Sequence, residues 1–403
     1  MKIYKIKAEK IKDSRKEETI EIIVYSNQGN YKASVPKGKS RGKNEVVDFP
    51  GKVEDSVEFV NKKLNEDGEL KNLEINTFDD LEKVEKILKK YDNTKNWAKI
   101  GGNVVLALEY AILKTISGGE IWKVIDINSK DAPRPLGKCL GGGAHVNIEK
   151  KCDIQEFLIM SLNALSLKEA IDANERVYNL VKKELNNRKI KFIRDDEGGW
   201  APSGLTNEEV LDLLIEVVKK VSDEFSFSIN IGLDMAATQF YKNGKYNYKN
   251  KKLSRNEQIG YVVDLIDKYN LCYVEDPLEE NDFEGFKEIL DDVKEKCLVV
   301  GDDLICTNLK LLKKAIDKKC INGVIIKPNQ IGSLIEVKKV IELAKKNNIN
   351  CIISHRSGET TDTSISHLAV GFRIPIFKIG IYGKEREVKL KELRNIEKAI
   401  KKR

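Results

Sequence analysis

The sequence predicts an α/β protein with a C-terminal (β/α) barrel behind an N-terminal α+β part, and three observations predict it. First, from Phe225 to Gly380 short apolar runs end one after another in polar residues. FSFSINIGLD ends in Asp234, LCYVED carries Glu275, CLVVGDD ends in Asp302 and Asp303, and INGVIIKPN carries Lys327. INCIISHRS ends in His355, Arg356 and Ser357, and IPIFKIG carries Lys378. Second, the steps from Asp234 through Glu275, Asp302, Lys327 and His355 to Lys378 are 41, 27, 25, 28 and 23 positions, and each holds one amphipathic, helix-like segment such as Ser333–Lys346. Strand, helix, strand at this period reads as βα units with a parallel sheet. Third, polar residues at the C-terminal ends of successive buried strands are what such a barrel uses to build an active site. Carboxylates come first in this order and cationic residues after, which suits a divalent metal facing an anionic substrate.

The 403 residues are enough for two domains and a large core. No apolar run approaches the ~18–20 residues that span a bilayer. The opening MKIYKIKAEKIKDSRK is charged and lacks an apolar signal core. A cytoplasmic protein with no membrane partner is expected. The 7 cysteines are scattered without a CxxC pair, which suits reduced thiols. The net charge of +7 comes from 71 basic residues interspersed with 64 acidic ones, and no basic patch carries interleaved aromatics. A Lys-rich surface, not a nucleic-acid interface, is the reading. The tail Lys389–Arg403 is expected to be a solvated terminal helix.

Residues 1–125 differ from the rest and form the first expected domain, with 126–403 the second. Met1–Ala8, Glu18–Tyr25 and Gly29–Pro36 read as strands of a meander. Asp55–Leu64, Phe78–Tyr91 and Gly102–Ser117 read as helices. Asp131–Leu140, with two prolines, is expected to be the joint. Two loops have the composition of a site. PKGKSRG, Pro36–Gly42, can close over an anion and lend the Ser40 hydroxyl to a metal. LGGGAHVN, Leu140–Asn147, places three glycines before His145, in a chain with only 3 histidines. CDIQEFLIM then puts Gln155 and Glu156 in an apolar, strand-like run, where a carboxylate is costly to bury unless paired. Ser166–Leu185 is an amphipathic helix, and FIRDDEGGWAPSG places Glu197 just before Gly198 and Gly199.

These residues carry a resemblance. SHRSGET at 354–360, DDEGGWAP at 195–202, VEDPLEENDFEGF at 274–286, GDDLICTN at 301–308 and IKPNQIGS at 326–333 are similar to the motifs of enolases. So are IGLDMAATQFY at 231–241, IQEF at 154–157, SLKEAIDANERVY at 166–178 and IKDSR at 11–15, all in the family's order. The resemblance implies an enolase-type barrel that begins irregularly, with two antiparallel strands and two helices, under an N-terminal α+β capping domain. It implies interconversion of 2-phosphoglycerate and phosphoenolpyruvate with Mg²⁺, two ions per site, the second arriving with substrate. Asp234, Glu275 and Asp302 match the ligands of the first ion, and Ser40 the loop serine that reaches the second. Lys327 matches the base and Glu197 the proton donor, with Glu156 beside it. Gln155, Arg356, Ser357 and Lys378 match substrate-binding positions, and His145 and His355 the active-site histidines. A homo-oligomer, dimer or octamer, is implied too.

The chemistry fits these types. The proton to be removed lies next to a carboxylate, so the intermediate is highly charged, and hard cations with oxygen ligands neutralise it. Lys327 is expected to be neutral, its pKa depressed by the metal and Lys378. Glu197 is expected to be protonated, its pKa raised by Glu156. The lids depart from the family: SGAST is replaced by KGKSR and GGxHAGN by GGGAHVN. Those changes leave open a paralogue acting on another phosphorylated or carboxylate substrate, or a protein that only binds.

Overall fold

The computed structural model of the chain describes residues 1–39 and 42–403, apart from the side chain of Glu295. Three strands open it, β1 (Ile3–Lys12), β2 (Glu18–Ser26) and β3 (Gly29–Ser34), paired antiparallel in the order β1-β2-β3. The meander is as expected. Ile20, Ile22 and Val24 of β2 point alternately inward and are fully buried. The helices α1 (Val53–Lys62), α2 (Gly68–Asn72), α3 (Leu81–Tyr91), α4 (Gly102–Ile116) and α5 (Ile121–Asp126) follow. α4 is apolar on almost every side (NVVLALEYAIL), and such a helix is buried all round. It packs on β2 and β3 on one side, and its Glu109 reaches across to accept the amide of Leu334 at 2.8 Å.

The segment read as the joint is already barrel. Arg134–Gly141 forms β4, and every position after Arg134 is buried, with Lys138 paired to carboxylates. β5 (Glu156–Met160) follows, then α6 (Leu167–Asn187), the hairpin β6 (Phe192–Arg194) and β7 (Trp200–Pro202), and α7 (Asn207–Ser222). β8 (Asn230–Asp234) leads to three short strands, β9 (Tyr241–Lys242), β10 (Lys245–Asn247) and β11 (Lys252–Leu253), and to α8 (Arg255–Tyr269). This small sheet fills the longest of the steps seen in sequence. Regular units then alternate: β12 (Tyr273–Glu275), α9 (Phe283–Val293), β13 (Leu298–Gly301), α10 (Leu309–Lys318), β14 (Gly323–Ile326), α11 (Pro328–Ile331), α12 (Leu334–Lys346), β15 (Asn350–Ser354), α13 (Ser364–Gly371), β16 (Ile376–Gly380) and α14 (Lys384–Lys401). The helices start where sequence says they should. Ser166 with Glu169, Thr206 with Glu209 and Ser254 with Glu257 make reciprocal caps on α6, α7 and α8.

The ring order is β16-β15-β14-β13-β12-β8-β5-β4, closed by β16 on β4, with β7 and β6 hung from β4. All neighbours are parallel except β5, which runs against both β4 and β8. The barrel therefore opens with two antiparallel strands and two helices, as the resemblance implied. Its lower interior is plugged by Leu136, Leu158, Met160, Tyr273, Val300, Ile325, Ile352 and Ile376. Gly232 makes room there, since a Cβ on it would lie 2.9 Å from Tyr273 Cβ.

The tail is not the solvated helix expected from its charge. Its periodicity hid two buried cations, Arg386 and Lys389, and three buried apolar residues, Leu390, Leu393 and Ile396. Lys389 Nζ donates to Thr360 O at 2.6 Å and pairs with Glu359 at 2.8 Å, so α14 ties down the loop after β15. Among the described residues no helix is long and apolar enough to cross a membrane.

Candidate active site

Because β5 runs antiparallel, its first residue lies at the same end of the barrel as the last residues of its neighbours. Register then builds one row at the mouth: Gly141 beside Glu156, Glu156 beside Asp234, and Asp234 beside Glu275. Asp302 and Lys327 follow one residue beyond β13 and β14, and Lys378 stands inward from β16, level with Ser354 of β15. One cavity at this mouth is lined by His145, Gln155, Glu156, Glu197, Asp234, Asp302, Lys327, His355, Arg356, Ser357 and Lys378. Glu275 is joined to this cavity through Lys378, 2.7 Å away. Ser40 lies outside the described residues. The structure thus brings together every other predicted site residue.

The lysines hold the carboxylates. Lys378 Nζ sits 2.7 Å from both Asp234 and Glu275 and 3.4 Å from Glu156. Lys327 donates to Asp302, whose other oxygen accepts from Gln330 at 3.1 Å. Gln155 reaches Asp234 at 3.4 Å and accepts from Gln239 at 2.7 Å. Arg356 grips Glu45 from the cap, both terminal nitrogens within 3.2 Å, and Asn329 at 3.0 Å. The cap loop also closes on the barrel through the amide of Lys39, which donates to Ser357 Oγ at 2.8 Å. A Cβ on Gly38 would stand 1.9 Å from the Arg356 guanidinium, so only glycine allows this approach.

Among the protein's own groups, burial, Arg356 and Lys378 disfavour a charge on Lys327, but Asp302 outweighs them and keeps its pKa above the ordinary value. One expectation about protonation is corrected. Glu197 is not the protonated member of its pair. Burial pushes it up, but His145 at 3.2 Å and the Lys138 ammonium pull it well below the usual carboxylate range. Glu156 is the one raised, by burial and by the Glu197 charge. His355 is held neutral by burial, with Arg386 Nε donating to its Nδ1 at 3.3 Å.

The residues fit a hard divalent cation. Asp234, Glu275, Asp276, Asp302 and Asp303 offer only oxygen. Burial and the neighbouring Asp234 push Glu275 up to about 8, and burial and Asp302 push Asp303 up to about 7, which marks a shortage of positive charge. Glu275 Oε1 is buried without a partner. Among the described residues, two sets of ligand atoms lie within 4.8 Å of one another: Asp276, Asp302 and Asp303, and His145, Glu156 and Glu197. In the first, Asp276 already accepts the amides of Asp302 and Asp303 at 3.0 and 2.8 Å and so serves the turn. In the second, a lysine ammonium already supplies the positive charge, 2.7 Å from Glu197.

Comparison with known proteins decides the family. The model "Enolase, N-terminal domain" matches residues 3–121, and "Enolase, C-terminal TIM barrel domain" matches residues 130–403. The chain belongs to the enolase family. Enolase from Methanosphaera stadtmanae is 40% identical, with 99% of this chain and 97% of the relative covered. Enolase from Archaeoglobus fulgidus is 38% identical, over 97% and 96%, and enolase from Ehrlichia ruminantium 37%, over 99% and 97%. The chain is accordingly a carbon–oxygen lyase that interconverts 2-phosphoglycerate and phosphoenolpyruvate, and its family uses a divalent metal.

Sequence reasoning missed Lys138, Glu45, Asp195, Gln239 and Gln330. Lys138 had a signal: it follows inward Leu136 by two positions in a strand, so it faces the same way. Reading that segment as a joint hid it. Glu45 and Gln330 had none, because only folding brings the cap loop and α11 to the mouth.

Proposed function

We propose that elimination at this mouth is divided between opposite walls of the barrel. Lys327 follows β14, and Glu156 begins β5, four places away around the ring in either direction. That opposition is the observation that carries the roles. Lys327 takes the C2 proton from one side of 2-phosphoglycerate. Glu197, with Glu156, gives a proton to the departing hydroxyl on the other.

Asp234, Glu275 and Asp302 would hold one Mg²⁺, and Ser40 would serve a second that comes with substrate. Bound there, Mg²⁺ supplies positive charge opposite the substrate carboxylate, whose negative charge grows as C2 loses its proton. The residues do the rest. Asp302 is the group that favours the charged lysine, and were it to hold the ion instead, Lys327 would lose that support. Arg356 and Lys378, which both oppose its charge, then favour the neutral base. Arg356 leaves Glu45 for the phosphate, and Ser357 and Gln155 position the substrate. His145 and His355 flank Glu197, and closure of Pro36–Gly42 and Gly141–Lys151 excludes water. Capping by residues 1–125 over a barrel of 126–403, assembly as a homo-oligomer (dimer or octamer) and a cytoplasmic location complete the reading.

A coupled assay with 2-phosphoglycerate and Mg²⁺ tests it. Turnover on the order of 1–10³ s⁻¹ is expected. No turnover of 2-phosphoglycerate, with turnover of another phosphorylated hydroxy acid, would overturn it in favour of a paralogue.

A further inference from the structure

The site holds a third buried lysine that the roles above do not use. Lys138 is fully buried on β4. Its Nζ lies 2.7 Å from Glu197 Oε2, 3.0 Å from Asp195 Oδ2, 3.7 Å from Glu156 Oε1 and 3.5 Å from His145 Nδ1. Asp195 is fixed in turn, because its Oδ1 accepts the amides of Glu197 and Gly199, both at 2.9 Å. A Cβ on Gly141 would lie 1.9 Å from Asp195 Oδ2, so the glycine run after β4 is what lets this carboxylate come in beside the lysine.

Resting on the assignment of Glu197 as the acid, we propose that Lys138 is a positioning residue that makes the two acids of the mouth unequal, holding Glu197 as an aimed carboxylate and leaving the proton of the pair to Glu156. The ammonium is a full 1.0 Å nearer to Glu197 than to Glu156 (3.7 against 2.7 Å). At such distances a buried charge favours the closer of two carboxylates. The other groups facing Glu197 are His145 from the loop after β4, Glu156 from β5, Asp195 from its own loop and His355 from the end of β15. Lys138 alone among them is a permanent cation. The free protein is therefore poised with the base that hydrates phosphoenolpyruvate. Dehydration of 2-phosphoglycerate must first put a proton on Glu197.

The kcat/KM for 2-phosphoglycerate falls as pH rises through the Glu197 ionisation, so removing the cation moves that alkaline limb to higher pH. Lys138→Met, and Lys138→Met/Asp195→Asn to keep the buried charges balanced, are compared with wild type in Mg²⁺. Glu197→Gln is the control for the acid itself, expected to lose turnover while keeping exchange of the C2 proton. The expected result is an upward shift of about 1–3 pH units, the effect of losing one close opposite charge, with exchange of the C2 proton retained. An unmoved limb in a folded, active variant overturns the proposal. So does loss of C2 exchange in parallel with turnover, or failure of both variants to fold, since Lys138 would then be purely structural. An inert wild type would instead remove the functional reading itself.

Discussion

The plug of the barrel and its mouth are built from the same strands, two residues apart. Leu136 lies below Lys138, Leu158 below Glu156, Tyr273 below Glu275, Val300 below Asp302, Ile325 below Lys327, Ile352 below Ser354 and Ile376 below Lys378. Alternation along a strand keeps residues i and i+2 on one face. The inward face is thus apolar for one layer and ionised for the next. The lower layer has no polar side-chain atom to satisfy except the Tyr273 hydroxyl, which donates upward to Glu275. The upper layer is made almost wholly of charges that must neutralise one another or a ligand. The difference teaches where stability and function part: a floor packed like any core holds the strands, and the ring above can stay electrostatically incomplete until ligand arrives. Around that ring the charges segregate as well. Carboxylates end β8 and β12 and follow β13, while Lys327 follows β14 and Lys378 and Lys138 stand on β16 and β4.

The comparison breaks most visibly on β14. Lys327→Ala should cut turnover by about 10²–10⁴-fold, the usual contribution of a general base, and abolish exchange of the C2 proton. Exchange at the wild-type rate would move the base to another wall. Two residues below, Ile325→Ala should cost about 2–5 kcal/mol of stability in denaturant titration, while the folded fraction keeps its KM. A variant that lost KM instead would show that floor and mouth are not separable.

A smaller effect sharpens the same contrast. Folded-state protonation is favoured at Asp303, up to about 7, and at Glu275, up to about 8, by burial and by neighbouring Asp302 and Asp234. Both values lie above the ordinary 3.8 and 4.5 of the unfolded chain. The native state then binds more protons than the unfolded one, so metal-free protein should lose stability as pH rises from about 4 to about 8. Added Mg²⁺ should flatten that fall. A melting temperature that climbs over this range without metal would contradict the account.

Much of the barrel was legible because its parallel strands are buried on both faces. Such strands read as near-continuous apolar runs with a polar end, and the helices between them announce themselves by period and cap. Where that pattern broke, reading failed. β4 looked like a joint because two prolines precede a run too short to be distinctive. The hairpin of β6 and β7 and the small sheet of β9–β11 were missed, since each strand has only two or three residues. α14 looked solvated because its lysines dominate the pattern, although Lys389 and Arg386 are held by carbonyls far away in sequence.

By itself the sequence determined which residue types stand at the strand ends and in what order, and therefore the barrel, the acidic and cationic halves and the family motifs. Local alternation and period are enough for that, because they depend on neighbours a few positions apart. Only the tertiary structure decided the protonation of the pair and the partner of each lysine. Glu197 was expected to carry the proton, and Lys138 with His145 assigns it to Glu156. For Lys327 the structure adds Asp302, a partner that favours its charge against the Lys378 expected to oppose it. Charges interact through distance in a medium of low polarisability, where a single ångström at a buried site outweighs the intrinsic preference of the group, and no distance of that kind is written along the chain.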